Sequence, residues 1–199
     1  HRQACDLVTV ECPFSFARCT VRQRRNEIDE HMHAHAAEHL ALLAIAPAAL
    51  LVAQLGRAVA DPVKVAAANA LRDLVRGVRA QGDNDTMYDV VRAGDIPALI
   101  ALTVGNGTDT LRKAVLGVLH SLSLFDINRS GIMNEPCAID NLIALLSGDS
   151  DAVKEAAVDL LFMLGVGTFR WRMEGAVTPL VALLREGTAH ARDVAMKLL

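Results

Sequence analysis

Two cysteines and two histidines near the start of the chain have the spacing expected of ligands to one metal ion. Cys12, Cys19, His31 and His35 follow the pattern C-x6-C-x11-H-x3-H. Two thiolates and two imidazoles form a complete tetrahedral ligand set for zinc, and histidines one helical turn apart project in the same direction. The pattern therefore predicts one bound Zn²⁺. Because four protein ligands leave no open position for water, we expect a structural ion.

The fourth ligand has alternatives, because His33 and His39 lie on the same segment. On an unbroken helix His39 lies about 12 Å along the axis from His31, too far for one tetrahedral ion unless the helix breaks. His35 is therefore our choice. A second half-site precedes this pattern, since His1 and Cys5 repeat the spacing of His31 and His35 and would complete a further zinc site whose other ligands lie upstream.

The stretch VECPFSFARCTVRQRRNEIDEHMHAH, residues 10–35, resembles a TRAF-type zinc finger, a family whose tandem fingers follow C-x6-C-x11-H-x3-C. The shared features are Cys12-Pro13, a basic and polar middle, and histidines on an incipient helix. His35 stands where the family usually has a cysteine. The resemblance implies a structural zinc ion, and such fingers often lie between a RING domain and a recruiting domain in ubiquitin ligases.

Composition indicates a helical domain behind this finger. The chain has 199 residues, of which 52% are hydrophobic and only 4% aromatic, and its net charge is −3. Alanine and leucine favour helices, and the weak negative charge provides no general attraction to nucleic acid or to an anionic membrane. Four cysteines at metal spacing or alone argue against a disulfide framework and for a reducing compartment. We expect the cytoplasm, with the nucleus as the alternative.

The chain repeats itself from about residue 60. Three segments align without gaps, PVKVAAANALRDL at 62–74, TLRKAVLGVLHSL at 110–122 and AVKEAAVDLLFML at 152–164, and HARDVAMKLL opens a fourth copy at His190. A second helix also recurs, as IPALIAL from Ile96, IDNLIALL from Ile139 and VTPLVALL from Val177. Repeats of roughly 40 residues indicate a solenoid of paired or tripled helices.

These three-helix repeats look like armadillo repeats, most diagnostically in RAGDIPALIAL and MEGAVTPLVALL. The resemblance implies an all-α fold, an armadillo-like right-handed α-solenoid with a small N-terminal zinc finger. We predict a TRAF-type finger at 1–41, with the tail of a preceding finger at 1–5, and armadillo-like repeats at 42–199 that continue past the C-terminus. In such solenoids the last helices of successive repeats line a concave binding groove.

The resemblance also gives candidate partner-binding residues. In armadillo proteins that bind extended peptides, an asparagine near the end of the third helix bonds the ligand backbone, and an aromatic residue lies one turn earlier. Here the aligned positions are Asp73, Ser121 and Met163 for the asparagine, and Asn69, Gly117 and Asp159 for the aromatic residue. None keeps the residue of the family, which argues against importin-like recognition of nuclear localisation peptides.

Enzymatic function is not expected, because the sequence has no glycine-rich phosphate loop, G-x-S-x-G or H-E-x-x-H motif. We predict a protein-protein interaction scaffold, the substrate-recruiting or adaptor region of a ubiquitin ligase whose RING domain is absent from this chain. The alternative is a zinc-finger nucleic-acid-binding protein with accessory helical repeats. Against it, the first cysteine gap of six residues differs from that of the fingers that enter the DNA major groove.

Overall fold

The computed structural model describes residues 9–15, 19–24, 27–36, 38–39, 48–56, 60–81, 96–165 and 175–199. At its N-terminal end, strand β1 (Thr9–Glu11) pairs antiparallel with β2 (Arg22–Arg24). Thr9 lies opposite Arg24, and Glu11 lies opposite Arg22, with which it also forms an ion pair. Helix α1 (Ile28–Ala34) follows directly. This small ββα unit positions the cysteines and histidines.

Helices make up the rest of the described chain. Their bounds are α2 Ala48–Leu55, α3 Asp61–Gln81, α4 Ile96–Val104, α5 Asp109–Ser123, α6 Asp126–Asn134, α7 Ala138–Leu145, α8 Asp151–Gly165, α9 Val177–Glu186 and α10 Ala189–Leu198. The three gap-free repeat segments fall within α3, α5 and α8, and the fourth falls within α10 apart from its last residue. The second-helix motifs lie in α4, α7 and α9, and the motif of α7 extends one residue past the helix end. The repeat alignment therefore predicted the helices in the correct order and places.

The helices α3, α5, α8 and α10, here called the third helices, form one continuous row. Helix α3 packs against α5, α5 against α8, and α8 against α10. The second helices α4, α7 and α9 pack against α5, α8 and α10 respectively. Each repeat thus contacts its immediate neighbours, which is the arrangement of a solenoid.

The core explains why the repeats keep the same residues at the same positions. Leu71, Leu119 and Leu161 occupy one aligned position of α3, α5 and α8, and each is fully buried. Four residues earlier, at Ala67, Val115, Ala157 and Ala195, the side chains are small and also fully buried. A small residue at this position allows neighbouring third helices to approach closely while the leucines fill the space between them. The residues that align between repeats are therefore those that pack in the core, and the similarity does not come only from a high content of alanine and leucine.

Threonines cap two of the third helices. The Thr108 hydroxyl accepts a hydrogen bond from the N–H of Leu111 at the start of α5, and the Thr188 hydroxyl accepts one from the N–H of Ala191 at the start of α10. The next residue, Asp109, is also of a type that often caps helices. Asp109 is instead the first helical residue, where its negative charge favours the helix N-terminus. Within the described segments, every helix is too short or too polar to cross a membrane.

Candidate functional site

Four side chains from the ββα unit converge on one point. They are Cys12 after β1, Cys19 before β2, His31 in α1, and His39 beyond α1. The Sγ of Cys12 lies 3.4 Å from Nε2 of His39, and the Sγ of Cys19 lies 3.5 Å from Nε2 of His31. All four atoms lie within 4.8 Å of one another. Two sulfurs and two imidazole nitrogens thus surround one small space.

These distances suit a tetrahedral metal ion. Bond lengths of about 2.3 Å to sulfur and about 2.0 Å to nitrogen place a sulfur and a nitrogen about 3.5 Å apart on neighbouring corners of a tetrahedron. Both measured sulfur-to-nitrogen distances agree with this value. The donor set is also complete, since four protein atoms fill four positions. The site therefore fits a structural ion better than a catalytic one, which needs an open position.

The side chains of the cluster are buried, which is unusual for a group of cysteines and histidines that holds no ion. Cys12, His31 and His39 are 1%, 5% and 2% exposed. Burial raises the pKa of the Cys12 thiol to about 11, and the neighbouring Cys19 adds to the rise. Burial also lowers the pKa of His39, as do His31 and His35. A neutral imidazole is the form that binds a metal, and a bound cation would favour the thiolate form of both cysteines.

The surroundings of the cluster fix two of its members. The ring of Phe14 stacks on that of His39 with 4.5 Å between centroids, and the N–H of Phe14 donates to Sγ of Cys12 at 3.4 Å. On the other side, Sδ of Met32 lies 3.8 Å from the same sulfur. The Nδ1 of His39 is buried and has no hydrogen-bond partner among the described residues, so the orientation of this ring depends on packing against Phe14.

The structure favours His39 over His35 as the fourth ligand. The side chain of His35 is exposed, and its Nδ1 contacts the carboxylate of Glu38. Helix α1 ends at Ala34, and His35 has φ −111° and ψ 23°, outside the helical range. The rings of His35 and His39 each lie 4.9 Å from the ring of His31 between centroids, although a straight helix would place His39 two turns from His31. Of the two, His39 is the residue whose ring nitrogen joins the cluster, with Nε2 3.4 Å from Sγ of Cys12. The half-site of His1 and Cys5 lies outside the described residues.

A second candidate site is the exposed or half-buried side of the third helices, here called the groove face. This face lies opposite the buried side of each helix, and its residues are spaced three or four positions apart. Its members are Asn69, Arg72, Asp73, Arg76 and Arg79 in α3, Lys113, Gly117 and His120 in α5, Glu155, Asp159, Phe162 and Met163 in α8, and His190, Asp193 and Lys197 in α10. Five of the six predicted partner-binding residues, Asn69, Asp73, Gly117, Asp159 and Met163, are on this face.

Ser121 is the exception among the predicted partner-binding residues. It is fully buried, and its hydroxyl donates a hydrogen bond to the carbonyl of Gly117 at 3.0 Å. A buried hydroxyl bonded within its own helix has no surface to offer a ligand. Gly117 itself lies beneath the side chain of Arg72, because a Cβ at this glycine would lie 3.4 Å from Cδ of Arg72. The side chain of Arg72 therefore covers the position from which an aromatic side chain would extend.

Polar contacts that the sequence did not reveal cross the groove face from helix to helix. The Nε2 of His190 in α10 lies 2.8 and 3.1 Å from the two carboxylate oxygens of Asp159 in α8. Asp159 in turn acts electrostatically on His120 in α5, as does Arg76 in α3. Burial is the main cause that lowers the pKa of His120, and Arg76 lowers it further whereas Asp159 opposes the change. These interactions thus connect one residue from each third helix, namely Arg76, His120, Asp159 and His190.

Comparison with known proteins identifies the fold. No protein-family model and no curated protein matches the chain. Among solved structures, an engineered protein superimposes with a TM-score of 0.69 at 19% identity, covering 95% of this chain and 80% of that chain. A designed armadillo repeat protein in complex with the peptide (KR)4 gives 0.66 at 19%, covering 94% and 79%.

A third structure, of computationally designed armadillo repeat proteins for modular peptide recognition, gives a TM-score of 0.67 at 17% identity, covering 94% of this chain and 80% of that chain. At these identities the likeness concerns the fold and not the ligand. The row of third helices agrees with it independently. The chain is therefore a mainly α-helical, armadillo-like solenoid with a Cys/His cluster, able to hold a metal ion, near its N-terminus.

Proposed function

We propose that this chain is a non-enzymatic scaffold that binds extended segments of partner proteins along the groove face. The observation that carries the proposal is the continuous row of α3, α5, α8 and α10, which presents polar and charged side chains from four successive repeats to one surface. Such a surface is long enough to contact many residues of an extended chain at once. Two structures with this fold are described by their peptide recognition, which supports the same use here.

The metal centre, on this proposal, is a structural zinc site held by Cys12, Cys19, His31 and His39. Zinc suits two thiolates and two imidazoles at tetrahedral spacing, and its binding would contribute folding free energy to a ββα unit that has few core residues of its own. With His39 as ligand the pattern becomes C-x6-C-x11-H-x7-H, a variant of the TRAF-type spacing.

The resemblance of this unit to TRAF-type fingers supports a finer proposal. A finger joined to a peptide-binding solenoid would serve as the substrate-recruiting or adaptor region of a ubiquitin ligase, which works in the cytoplasm or, alternatively, in the nucleus. The solenoid would hold the substrate and the finger would hold the solenoid in place relative to neighbouring domains. Its test is substrate ubiquitination in cells that express the chain with and without an intact groove face.

Selection of peptides tests the binding proposal directly. A random library of 12-residue peptides is displayed and selected on the whole chain, and the selected peptides are then measured against two double variants. Lys113→Glu with Asp159→Lys exchanges charges on the groove face. Arg185→Glu with Glu186→Lys makes the same exchange on the exposed end of α9, outside the row of third helices, and is the matched control.

We expect the selected peptides to lose at least about tenfold in affinity for the groove-face variant and to bind the α9 variant as they bind the original chain, because a few charge contacts together provide this much free energy. Selection that yields no specific peptide would contradict the proposal. Equal losses in the two variants would place binding elsewhere and would contradict it as well.

A further inference from the structure

The first half of the groove face is basic. Helices α3 and α5 contribute four cations, Arg72, Arg76, Arg79 and Lys113, and a single carboxylate, Asp73. That carboxylate is already paired, since Nε of Arg72 lies 3.2 Å from its Oδ1. Arg76, Arg79 and Lys113 are exposed and form no ion pair with another described residue. Within the part of the chain that the structure describes, this half of the face therefore has an excess of positive charge.

The second half of the groove face is acidic. Helices α8 and α10 contribute three carboxylates, Glu155, Asp159 and Asp193, against one lysine, Lys197. Lys197 is paired with Asp193 at 2.6 Å. Glu155 accepts a hydrogen bond from the hydroxyl of Thr188, which places its carboxylate at the junction of α8 and α10. Nε2 of His190 lies 2.8 Å from Oδ1 of Asp159, so each of the three carboxylates has a partner. With His190 neutral, the formal charge of this half is still negative.

The first residues of the third helices do not change this balance. Asp61, Asp109 and Asp151 begin α3, α5 and α8, and each is followed three residues later by a cation. Arg112 pairs with Asp109 at 2.8 Å and Lys154 with Asp151 at 3.4 Å. Lys64 and Arg112 both act electrostatically on Asp61. At the N-terminal ends of these helices each aspartate therefore has a cation nearby. The separation of positive from negative charge is confined to the groove face.

The two halves are separated by a distance that an extended peptide spans. Packed helices lie about 8–10 Å apart, so the midpoint of α3 and α5 is roughly 16–20 Å from the midpoint of α8 and α10. An extended chain advances about 3.3 Å per residue. Two charged blocks of a bound segment would therefore be centred about five or six residues apart.

We propose that the groove face selects an extended protein segment with two blocks of opposite charge, an acidic block that lies over α3 and α5 and a basic block that lies over α8 and α10. The proposal rests on the proposed function, because it assigns the partner of the same surface. It differs from recognition of a uniformly basic peptide, since such a peptide would place half of its charges against Arg76, Arg79 and Lys113. Like charges at short range oppose binding and exclude wrong partners.

Synthetic peptides test the charge pattern on the whole chain. The block peptide has four glutamates, two serines and four arginines, which sets the centres of its blocks about six residues apart. The reference peptide has the same composition with glutamate and arginine alternating. An all-arginine and an all-glutamate peptide of the same length complete the set. Affinities are measured by fluorescence anisotropy at low salt and at 0.5 M salt, where screening is strong.

The block peptide is expected to bind about tenfold more tightly than the alternating peptide at low salt, with the advantage lost at high salt. In the Arg76→Glu, Lys113→Glu variant the first half of the groove face has three carboxylates against Arg72 and Arg79, so that the formal charge of both halves is negative. This variant should lose the preference for the block peptide and bind the all-arginine peptide more tightly. The control Arg185→Glu, Arg192→Glu makes the same change in net charge at exposed positions outside the groove face and should retain the preference.

Equal affinities for the block and alternating peptides would overturn this inference, as would a preference that survives the groove-face reversal. If the library selection described above still yields peptides that bind the groove face, only the charge pattern is wrong. If it yields none, the proposed function fails too. If the double variant does not fold, the single variants Arg76→Gln and Lys113→Gln replace it, each checked for helix content by circular dichroism. Each removes one cation of the basic half and should reduce the preference for the block peptide.

Discussion

The backbone N–H of Thr108 donates a hydrogen bond of 2.8 Å to the carboxylate of Asp61, so that the first residue of α3 binds the residue that caps α5. The two residues are 47 positions apart, and each belongs to a different repeat. The contact therefore joins neighbouring third helices at their N-terminal ends. It is also the largest cause that lowers the pKa of Asp61.

We expect the Asp61→Asn variant to be less stable than the original chain at neutral pH and equally stable in acid. A carboxyl whose pKa is lowered on folding stabilises the folded state above its unfolded pKa of 3.8, and this contribution is lost as the pH falls through the folded pKa. Melting temperatures at pH 7, 4 and 2.5 measure the difference. Asp149→Asn, at an exposed loop residue, is the control. If the difference in melting temperature between the original chain and Asp61→Asn does not become smaller in acid, the lowered pKa of Asp61 is not the source of its stabilising effect.

Metal content distinguishes His39 from His35. We expect one zinc per chain by mass spectrometry in the original protein and in His35→Ala, and loss of the metal in His39→Ala and Cys19→Ser, because only the last two remove a corner of the cluster. A chelator should likewise melt the ββα unit and leave the helical repeats folded, since structural zinc contributes folding free energy locally. Retention of zinc by His39→Ala with loss in His35→Ala would restore the ligand set expected from the sequence.

The sequence predicted the repeats well because packing requires them. Leu71, Leu119 and Leu161 must be apolar to fill the same space in successive repeats, and this need leaves a period that is visible without a structure. The sequence does not fix the N-cap of α5 in the same way. Thr108 and Asp109 are both good N-cap residues, and only the backbone conformation shows that Thr108 stands outside the helix.

The fourth corner of the metal cluster could not be chosen from spacing alone. The argument for His35 assumed a straight helix, whereas the backbone of His35 departs from helical geometry and brings His39 back to the cysteines. Contacts between repeats, such as those of Asp159 with His190 or of Arg72 with Gly117, were equally hidden. They depend on the rotation between adjacent helices, which the residues of one helix do not specify.

Two glycines should respond oppositely to alanine. Gly77 lies within α3, and a Cβ there would meet no atom within 4 Å, so Gly77→Ala should stabilise the chain by about 0.5–1 kcal/mol. Gly187 ends α9, and a Cβ there would lie 2.5 Å from the carbonyl oxygen of Leu183. Gly187→Ala should therefore destabilise by about 1–3 kcal/mol. Urea unfolding measures both, and a stabilising Gly187→Ala would mean that the turn into α10 can relax freely.

Protonation of His120 should weaken the fold. Burial is the main cause that lowers its pKa from 6.5, and Arg76 adds to this although Asp159 opposes it. A histidine whose pKa is lowered on folding binds protons more tightly when unfolded, so its contribution is fully present above pH 6.5 and is lost as the pH falls towards the folded pKa. The stability difference between the original chain and His120→Gln, measured by urea unfolding from pH 8 to 5, should therefore decrease with falling pH. Arg76→Gln removes a repelling cation and should make that decrease smaller, whereas an unchanged pH profile would show that Arg76 does not act on His120.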